Sequence, residues 1–444
     1  MGFSPVFLWS DTLIFALFIG SAVWTYSALT REYWRVAFKQ VLVNRVAMVS
    51  LGVLCLYLLV GMLDTMHFKV ISKENPNGGD ITSVLDLVCA PLIASTEETY
   101  SAPFATHSFS METVERDGHQ VREFPRLAHA GTNLKDPSQA SGDIQWRALL
   151  GLACGLAFGG AVTGLLWFVP YFAKSKNSVL WIGGFVTVVA VLLSEVIFLN
   201  MNGGYHVFGT DKTGQDVLYV SLKSVRTGLI IGILTTLIVT PFAILLGVMA
   251  GYFGGWVDDL ITYVYTTLQS IPDILLIGAA MLILQTQIAQ DETVVAADKR
   301  LVFLCLILGI TSWVNLCRLI RSEVLKLREV EFIQAADAFG VGRIKIMLRH
   351  LIPNVMHIVL ISVVLRFSGL VLSEAVLAYV GIGVDPTTPS WGNMINQARM
   401  ELARDPVVWW KVLAAFSFML GLVLPANLFG DAVRDALDPR LRTR

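Results

Sequence analysis

Charge is scarce in this chain of 444 residues: only 15% are Asp, Glu, Lys or Arg, while 55% are hydrophobic and mean hydropathy is +0.64. Soluble domains carry about 25% charged residues, so this composition agrees with a membrane protein. The charges nearly cancel, at net −1, so nothing points to nucleic acid. Cysteine is also sparse. Cys55, Cys154, Cys305 and Cys317 lie in or beside apolar runs, and Cys89 stands alone in a polar one. No CxxC or Cys/His spacing exists, so neither a metal centre nor a disulfide framework is expected. His107, His119 and His129 match no ligand spacing and read as solvated loop histidines. The chain has no GxxxxGK[ST] and is not expected to bind ATP by itself. It has no HExxH, no nucleophile elbow, no paired acids in a soluble domain and no useful internal repeat.

Apolar runs are present instead. Stretches near the roughly 20 residues that cross a bilayer as a helix occur at 7–29, 46–63, 148–170, 179–199, 228–250, 260–287, 301–320, 354–380 and 408–429. The expected fold class is all-α, a polytopic transmembrane helical bundle of about nine spans. No basic region precedes 7–29 and no small-residue cleavage site follows it, so it reads as a retained helix. Arg31, Arg35, Lys39 and Arg45 follow, against the single acid Glu32. The positive-inside rule makes that loop cytoplasmic and the N-terminus external. Lys174 and Lys176 put the link after 148–170 inside. Arg434, Arg440, Arg442 and Arg444 do the same for the C-terminus. The link Gly251–Asp259 has no Lys or Arg and is placed inside by alternation alone. Residues 64–146 hold twelve Asp/Glu and six Lys/Arg and read as an external, loosely ordered insert.

Within the spans, Gly151, Gly155 and Gly159 form a small-residue face suited to close helix packing. Gly247 and Gly251 form another. Glu195 lies within a turn of a span end, where it can snorkel. Three other intramembrane charges are candidates for the translocation path. Asp273 follows Pro272 inside an apolar run, with a helix-end position as the alternative. Arg366 and Glu374 are eight residues apart, about 12 Å of helical rise, too far to pair directly.

The most informative stretch is 318–353, RLIRSEVLKLREVEFIQAADAFGVGRIKIMLRHLIP. Its seven Lys/Arg and four Asp/Glu exclude a spanning segment, since each would cost about 2.5–3.5 kcal/mol at mid-bilayer. Phe332, Ala335, Ala336 and Phe339 share one helical face, and Gly340 follows as a stop. Ile344, Met347, Leu348 and Leu351 repeat the spacing. Two short amphipathic helices meeting at a glycine are expected. Their apolar faces either cover the protein's own bundle or dock a soluble partner.

The residues themselves bear on that choice. Gln334-Ala335-Ala336, then Gly340, then Pro353 resembles the EAA loop of ABC importer permeases, with Gln334 in place of the usual Glu and Glu331 one turn earlier. Residues 205–217, with His206, Phe208-Gly209-Thr210-Asp211, Gly214 and Asp216-Val217, resemble the HxFGTDxxGxDV signature of the dipeptide/oligopeptide members. Gln215 stands where Arg is common. Asp211-Lys212-Thr213-Gly214 only superficially matches the DKTGT of P-type pumps. Leu372–Gly383 resembles LxEAxLxxxGxG, with Glu374 as its acid. TTPSWGNM and the terminal GDAVRDALDPRLR are also similar to that family. The resemblance covers 205–444, with 46–63 as first core helix. It implies a six-helix core plus added helices at 7–29 (within 1–45) and, within 147–204, at 148–170 and 179–199. It implies a coupling loop, 318–353, that docks partner ATPases through Glu331, Phe332, Gln334, Ala335, Ala336, Asp337, Phe339, Gly340 and Pro353. It further implies a second related permease, an extracytoplasmic substrate-binding protein and the bacterial inner membrane. No cofactor is expected in this chain; ATP and Mg would sit on the ATPases. The family's solutes include dipeptides, oligopeptides, nickel chelates and sugars. The alternatives are an ion-coupled secondary transporter using Asp273, Arg366 and Glu374, and a membrane scaffold that moves no solute.

Overall fold

The computed structural model describes residues 2–30, 40–41, 44–71, 81–116, 119–131, 134, 139–168, 176–202, 204–288 and 294–437. Arg31, Arg35, Lys39, Lys174, Arg440, Arg442 and Arg444, used above for orientation, lie outside them. The helices are α1 (Trp9–Leu29), α2 (Arg45–Thr65), α3 (Val84–Val88), α4 (Ala90–Ala94), α5 (Ala140–Phe168), α6 (Lys176–Glu195, prolonged by a π-helical turn, Val196–Met201), α7 (Val217–Phe253), α8 (Gly255–Gln269), α9 (Asp273–Ile288), α10 (Val294–Ser312), α11 (Val314–Arg328), α12 (Glu331–Ala338), α13 (Arg343–Ile346), α14 (Ile352–Tyr379), α15 (Trp391–Glu401) and α16 (Trp410–Leu437). Among the described residues seven stretches are long and apolar enough to cross a membrane, and α8 with α9 makes an eighth. The ninth expected span is α1, whose Trp9–Gly20 portion is a shorter apolar helix.

The expected straight span 260–287 is bent. Its halves, α8 and α9, meet at 84°. Pro272 sits at the break. Its ring disfavours helical geometry in the residue before it, and it has no N–H to donate. Ser270 closes α8 by donating to Thr266, and α9 restarts at Asp273.

Two compact units emerge. The first comprises Met1–Val6, Leu42–Thr227 and Pro389–Pro425. In it α5 and α6 form a hairpin, and the expected glycine face is its seam. A Cβ on Gly155 or Gly159 would lie 2.4 Å from the Cα of Val191 or Thr187. Ser194 Oγ donates to the Gly151 carbonyl at 2.6 Å. Close backbone approach of this kind supplies dispersion contacts that the apolar effect cannot supply in lipid. Gly155→Leu is therefore expected to force the hairpin apart and destabilise it by about 1–3 kcal/mol. A melting point in detergent equal to wild type would refute this.

The segment 64–146 differs from the loose insert its polarity suggests. Strand β1 (Gly2–Val6) pairs antiparallel with β2 (His67–Ile71), which pairs with β3 (Ile81–Ser83). Ser83 and Asp86 then form a capping box that starts α3. Leu85, Cys89 and Leu92 make a small apolar core with Val60, Leu63, Tyr219 and Leu222 around it. Strands β4 (Glu112–Arg116) and β5 (His119–Glu123) form a hairpin.

The second unit comprises Phe7–Val41, Gly228–Thr388 and Ala426–Arg444. Here α7 crosses α11 at its own small-residue face. A Cβ on Gly247 would meet the Cys317 carbonyl at 2.8 Å, and one on Gly251 the Arg321 carbonyl at 2.9 Å. Arg321 also holds Asp258 of α8 through two bonds of 2.5 and 2.6 Å. Its core combines Val248, Ile261, Cys317, Ile320 and Val324 with Ile333, Ile346, Met347 and Leu351. Ser10 at the start of α1 donates its N–H to Asp298 of α10 at 3.1 Å.

Candidate functional site

The 318–353 stretch hangs on a long stalk. Helices α10 and α11 follow one another in a single stretch, Val295–Arg328, apolar in its first part and charged from Arg318 on. Helix α12 then ends in a Schellman cap: Val341 N donates to Ala336 O at 3.0 Å and Gly340 N to Asp337 O at 2.9 Å. Gly340 has φ +74 and nothing within 4 Å of where a Cβ would stand. Its requirement is therefore conformational and not steric. The second amphipathic repeat is not a free-standing helix. α13 runs through a π-helical turn, Met347–Leu351, straight into α14. Pro353 occupies the first turn of α14, where its missing N–H breaks no bond of that helix.

The faces divide differently from their periodicity. Ile333, Ile346, Met347 and Leu351 are buried, and Ala336 and Val341 pack beside them. Glu331, Phe332, Gln334, Ala335, Asp337, Ile344 and Leu348 are exposed, and Phe339 is 87% exposed. Gln334 Nε2 donates to Glu329 Oε2 at 3.5 Å. The loop is thus anchored by one row of side chains while a second row, led by Phe339, points away from the core. An aromatic knob on a fixed helix end is the geometry of helix-in-groove recognition.

The three path candidates are not brought together. Asp273 stands exposed in the first turn of α9, beyond the bend. Arg366 donates through Nη1 to the Ser312 carbonyl, an orphan acceptor at the end of α10. Glu374 is 3% exposed within α14.

The first unit holds a cluster that was not assigned from the sequence. His206 is buried, with Nδ1 2.7 Å from Asp216 Oδ2 and Nε2 3.7 Å from Glu97 Oε1. Asn200 Nδ2 also donates to Asp216, at 3.0 Å. The Glu97 carboxylate accepts the N–H groups of Ala128, His129 and Ala130 at 2.8, 2.9 and 3.3 Å. Burial disfavours the imidazolium, but the two carboxylates outweigh it and push the His206 pKa up to about 9. Glu97, despite burial, is held below its ordinary value by His206 and by the backbone donors.

Two more cations repeat the arrangement. Lys411 Nζ lies 3.5 Å from both Asp211 and Glu401, and Tyr100 donates to Glu401 at 3.1 Å. Lys223 Nζ holds Asp86 at 2.6 and 2.8 Å. Lys223 ties the 81–131 segment to α7, Lys411 ties the signature and α15 to α16, and Tyr100 joins the 81–131 segment to α15. The backbones interlock too, for a Cβ on Gly214 would fall 1.7 Å from the Glu97 carbonyl oxygen. The pairing of His206 with Asp216 inside one short motif was the available signal. Glu97 carried none, because its partner is remote in sequence.

Residues 243–443 match the family model described as binding-protein-dependent transport system inner membrane component. The chain is 33% identical over 241 residues to the oligopeptide transport system permease protein OppC of Mycobacterium tuberculosis, covering 54% of this chain and 78% of that protein. It is 33% identical over 238 residues to the dipeptide transport system permease protein DppC of Alkalihalophilus pseudofirmus, covering 54% and 73%. OppC of Bacillus subtilis is 28% identical over 237 residues, covering 53% and 72%.

Proposed function

Because this chain belongs to the family of binding-protein-dependent transport system inner membrane components, we propose that it is the permease subunit of an ATP-driven importer of di- or oligopeptides. The relatives named for peptide transport favour peptides over nickel chelates or sugars. The chain is a translocation subunit; partner ATPases bind ATP and Mg and carry out hydrolysis. A second related permease and an extracytoplasmic binding protein complete the assembly. The N-terminus lies outside and the 318–353 loop in the cytoplasm.

The observation that carries this reading is the exposed Phe339 on a capped, anchored helix end. Glu331, Phe332, Gln334, Ala335, Ala336, Asp337, Phe339, Gly340 and Pro353 form or position the docking element. A push on Phe339 is passed by α12 to Ile333, which is buried with Val324 and Ile320 of α11. The Arg321–Asp258 pair and the glycine contacts fix α11 to α8 and α7. Because packed cores shift between discrete arrangements and do not stretch, movement of the loop rotates this helix group as a block. That is the alternating-access step.

The test is uptake of a labelled peptide into liposomes holding the complete transporter. Dependence on ATP enclosed in the lumen, with the binding protein outside and with indifference to sodium and proton gradients, is expected. Gradient-driven uptake without ATP would overturn the reading. Ser322→Cys, with Cys55 and Cys154 replaced, reports orientation: an impermeant thiol reagent should reach it only from the cytoplasmic face.

A further inference from the structure

Two arginines of α11 stand three residues apart and are treated differently by their surroundings. Arg321 is clamped by the carboxylate of Asp258 through two short bonds. Arg318 has only an amide oxygen, Gln269 Oε1, at 3.3 Å. Gln269 in turn donates through Nε2 to Asn315 Oδ1 at 3.2 Å. All three side chains are exposed on the second unit, beside the 84° bend that separates α8 from α9. Asn315 and Arg318 share one face of α11 at i, i+3 spacing, while Val314, Leu316, Cys317 and Ile320 are buried on its other side.

The chemistry of this track is unfinished. A guanidinium presents five N–H donors in a planar fork suited to a carboxylate. Arg318 engages one of them, in a long bond to a neutral acceptor, and no carboxylate pairs with it among the described residues. The Asn315 amide group also keeps its N–H donors unengaged there. An apolar run, 301–317, leads directly to Arg318. Arg318 opens the charged 318–353 stretch at the end of that run, outside the hydrocarbon, so this face meets water or a ligand. The weak Gln269 contact is readily exchanged for a charge-assisted one.

We propose that Arg318, Asn315 and Gln269 form a site that takes the C-terminal carboxylate and adjoining amide of the peptide in transit. Arg318 receives the carboxylate, replacing its bond to Gln269. The released Gln269 and the Asn315 amide then bond the last peptide unit. This rests on the peptide-import reading and adds to it a preference for substrates with a free carboxyl terminus.

The test compares uptake of trialanine with that of its C-terminal amide, in liposomes carrying the complete transporter with wild-type permease, Arg318→Gln, Arg318→Lys or Asn315→Ala. Every arm uses the same binding protein, so its own selectivity cancels between variants. Wild type is expected to favour the free acid, and Arg318→Gln to lose about tenfold of that preference, the loss of one charge-assisted bond. Arg318→Lys should keep part of it, because it retains charge without the fork. Uptake of neither peptide by wild type would overturn the import reading itself. Uptake with an unchanged preference in Arg318→Gln and Asn315→Ala would overturn this site alone. So would an Arg318 requirement that follows anionic lipid content and not the peptide terminus.

Discussion

Phe339→Glu is expected to abolish ATP-driven uptake while leaving membrane insertion and folding as in wild type. The side chain is 87% exposed, so its loss removes no packing, and such surface changes move stability by no more than about 0.5 kcal/mol. Buried in a partner's cleft, an aromatic anchor contributes about 2–4 kcal/mol of binding, and a carboxylate would enter that cleft unpaired. Recruitment of the ATPases should fall by more than about 30-fold. Gly340→Val tests the same surface by geometry. With φ +74 and open space around it, a β-branched residue pays only the left-handed backbone penalty of about 1–2 kcal/mol. That is too small to unfold the chain, yet enough to swing Phe339 out of register by undoing the cap. The measurement is co-purification of the ATPase subunits with peptide-stimulated hydrolysis in liposomes. Normal recovery and stimulation in both variants would reduce this loop to a packed turn.

His206→Gln is expected to loosen the 81–131 segment at neutral pH. The substitution leaves Glu97 and Asp216 buried with the cation between them gone. Breaking a buried ion pair in this way costs about 3–5 kcal/mol. The wild-type protein should show the same loosening at alkaline pH. The His206 pKa lies at about 9 when folded, above the roughly 6.5 of an unfolded histidine. Its contribution is therefore complete below about pH 6.5 and is lost as pH rises through about 9. The difference is worth on the order of 3 kcal/mol. Limited proteolysis between residues 95 and 131 should accelerate in wild type between pH 7 and pH 9.5. In His206→Gln it should be fast at pH 7 and nearly flat with pH. A variant as resistant as wild type at pH 7, or a wild type unaffected by alkali, would refute the clamp.

The long helices and the loop boundaries were legible in the sequence because apolar length and 3.6-residue spacing are local properties. So was the stop at Gly340, where the left-handed conformation selects the residue. Which face of α12 turns inward was not legible. Periodicity grouped Phe332, Ala335, Ala336 and Phe339, yet of these four only Ala336 packs beside the buried Ile333 while the other three stay exposed. The bend at Pro272 was visible as a freed backbone and its 84° angle was not. The order in 81–131 escaped notice because it rests on ion pairs and backbone bonds and less on apolar residues. Low hydrophobicity signals disorder only when buried charges lack partners. Here Glu97, Asp86 and Tyr100 find theirs across long separations. The glycine seam of α5 and α6 was legible because close approach in lipid demands small residues on one face.

The interlock of the signature with residues 97–101 also sets an order of biogenesis. Ser101 donates its N–H to Thr210 Oγ1 across 109 residues of chain, and the α5–α6 hairpin lies between them. Synthesis proceeds at about 5–20 residues per second, so the first strand of this contact waits roughly 5–20 s for the second. In the N-terminus-outside topology proposed above, Glu97 and Tyr100 would spend that interval on the external face without the groups that later enclose them. The hairpin must be inserted before the signature is delivered. Failure of either α5 or α6 alone to cross would therefore strand the two halves on opposite faces of the bilayer, and the failure would surface as degradation of a nascent chain, before any question of transport arises.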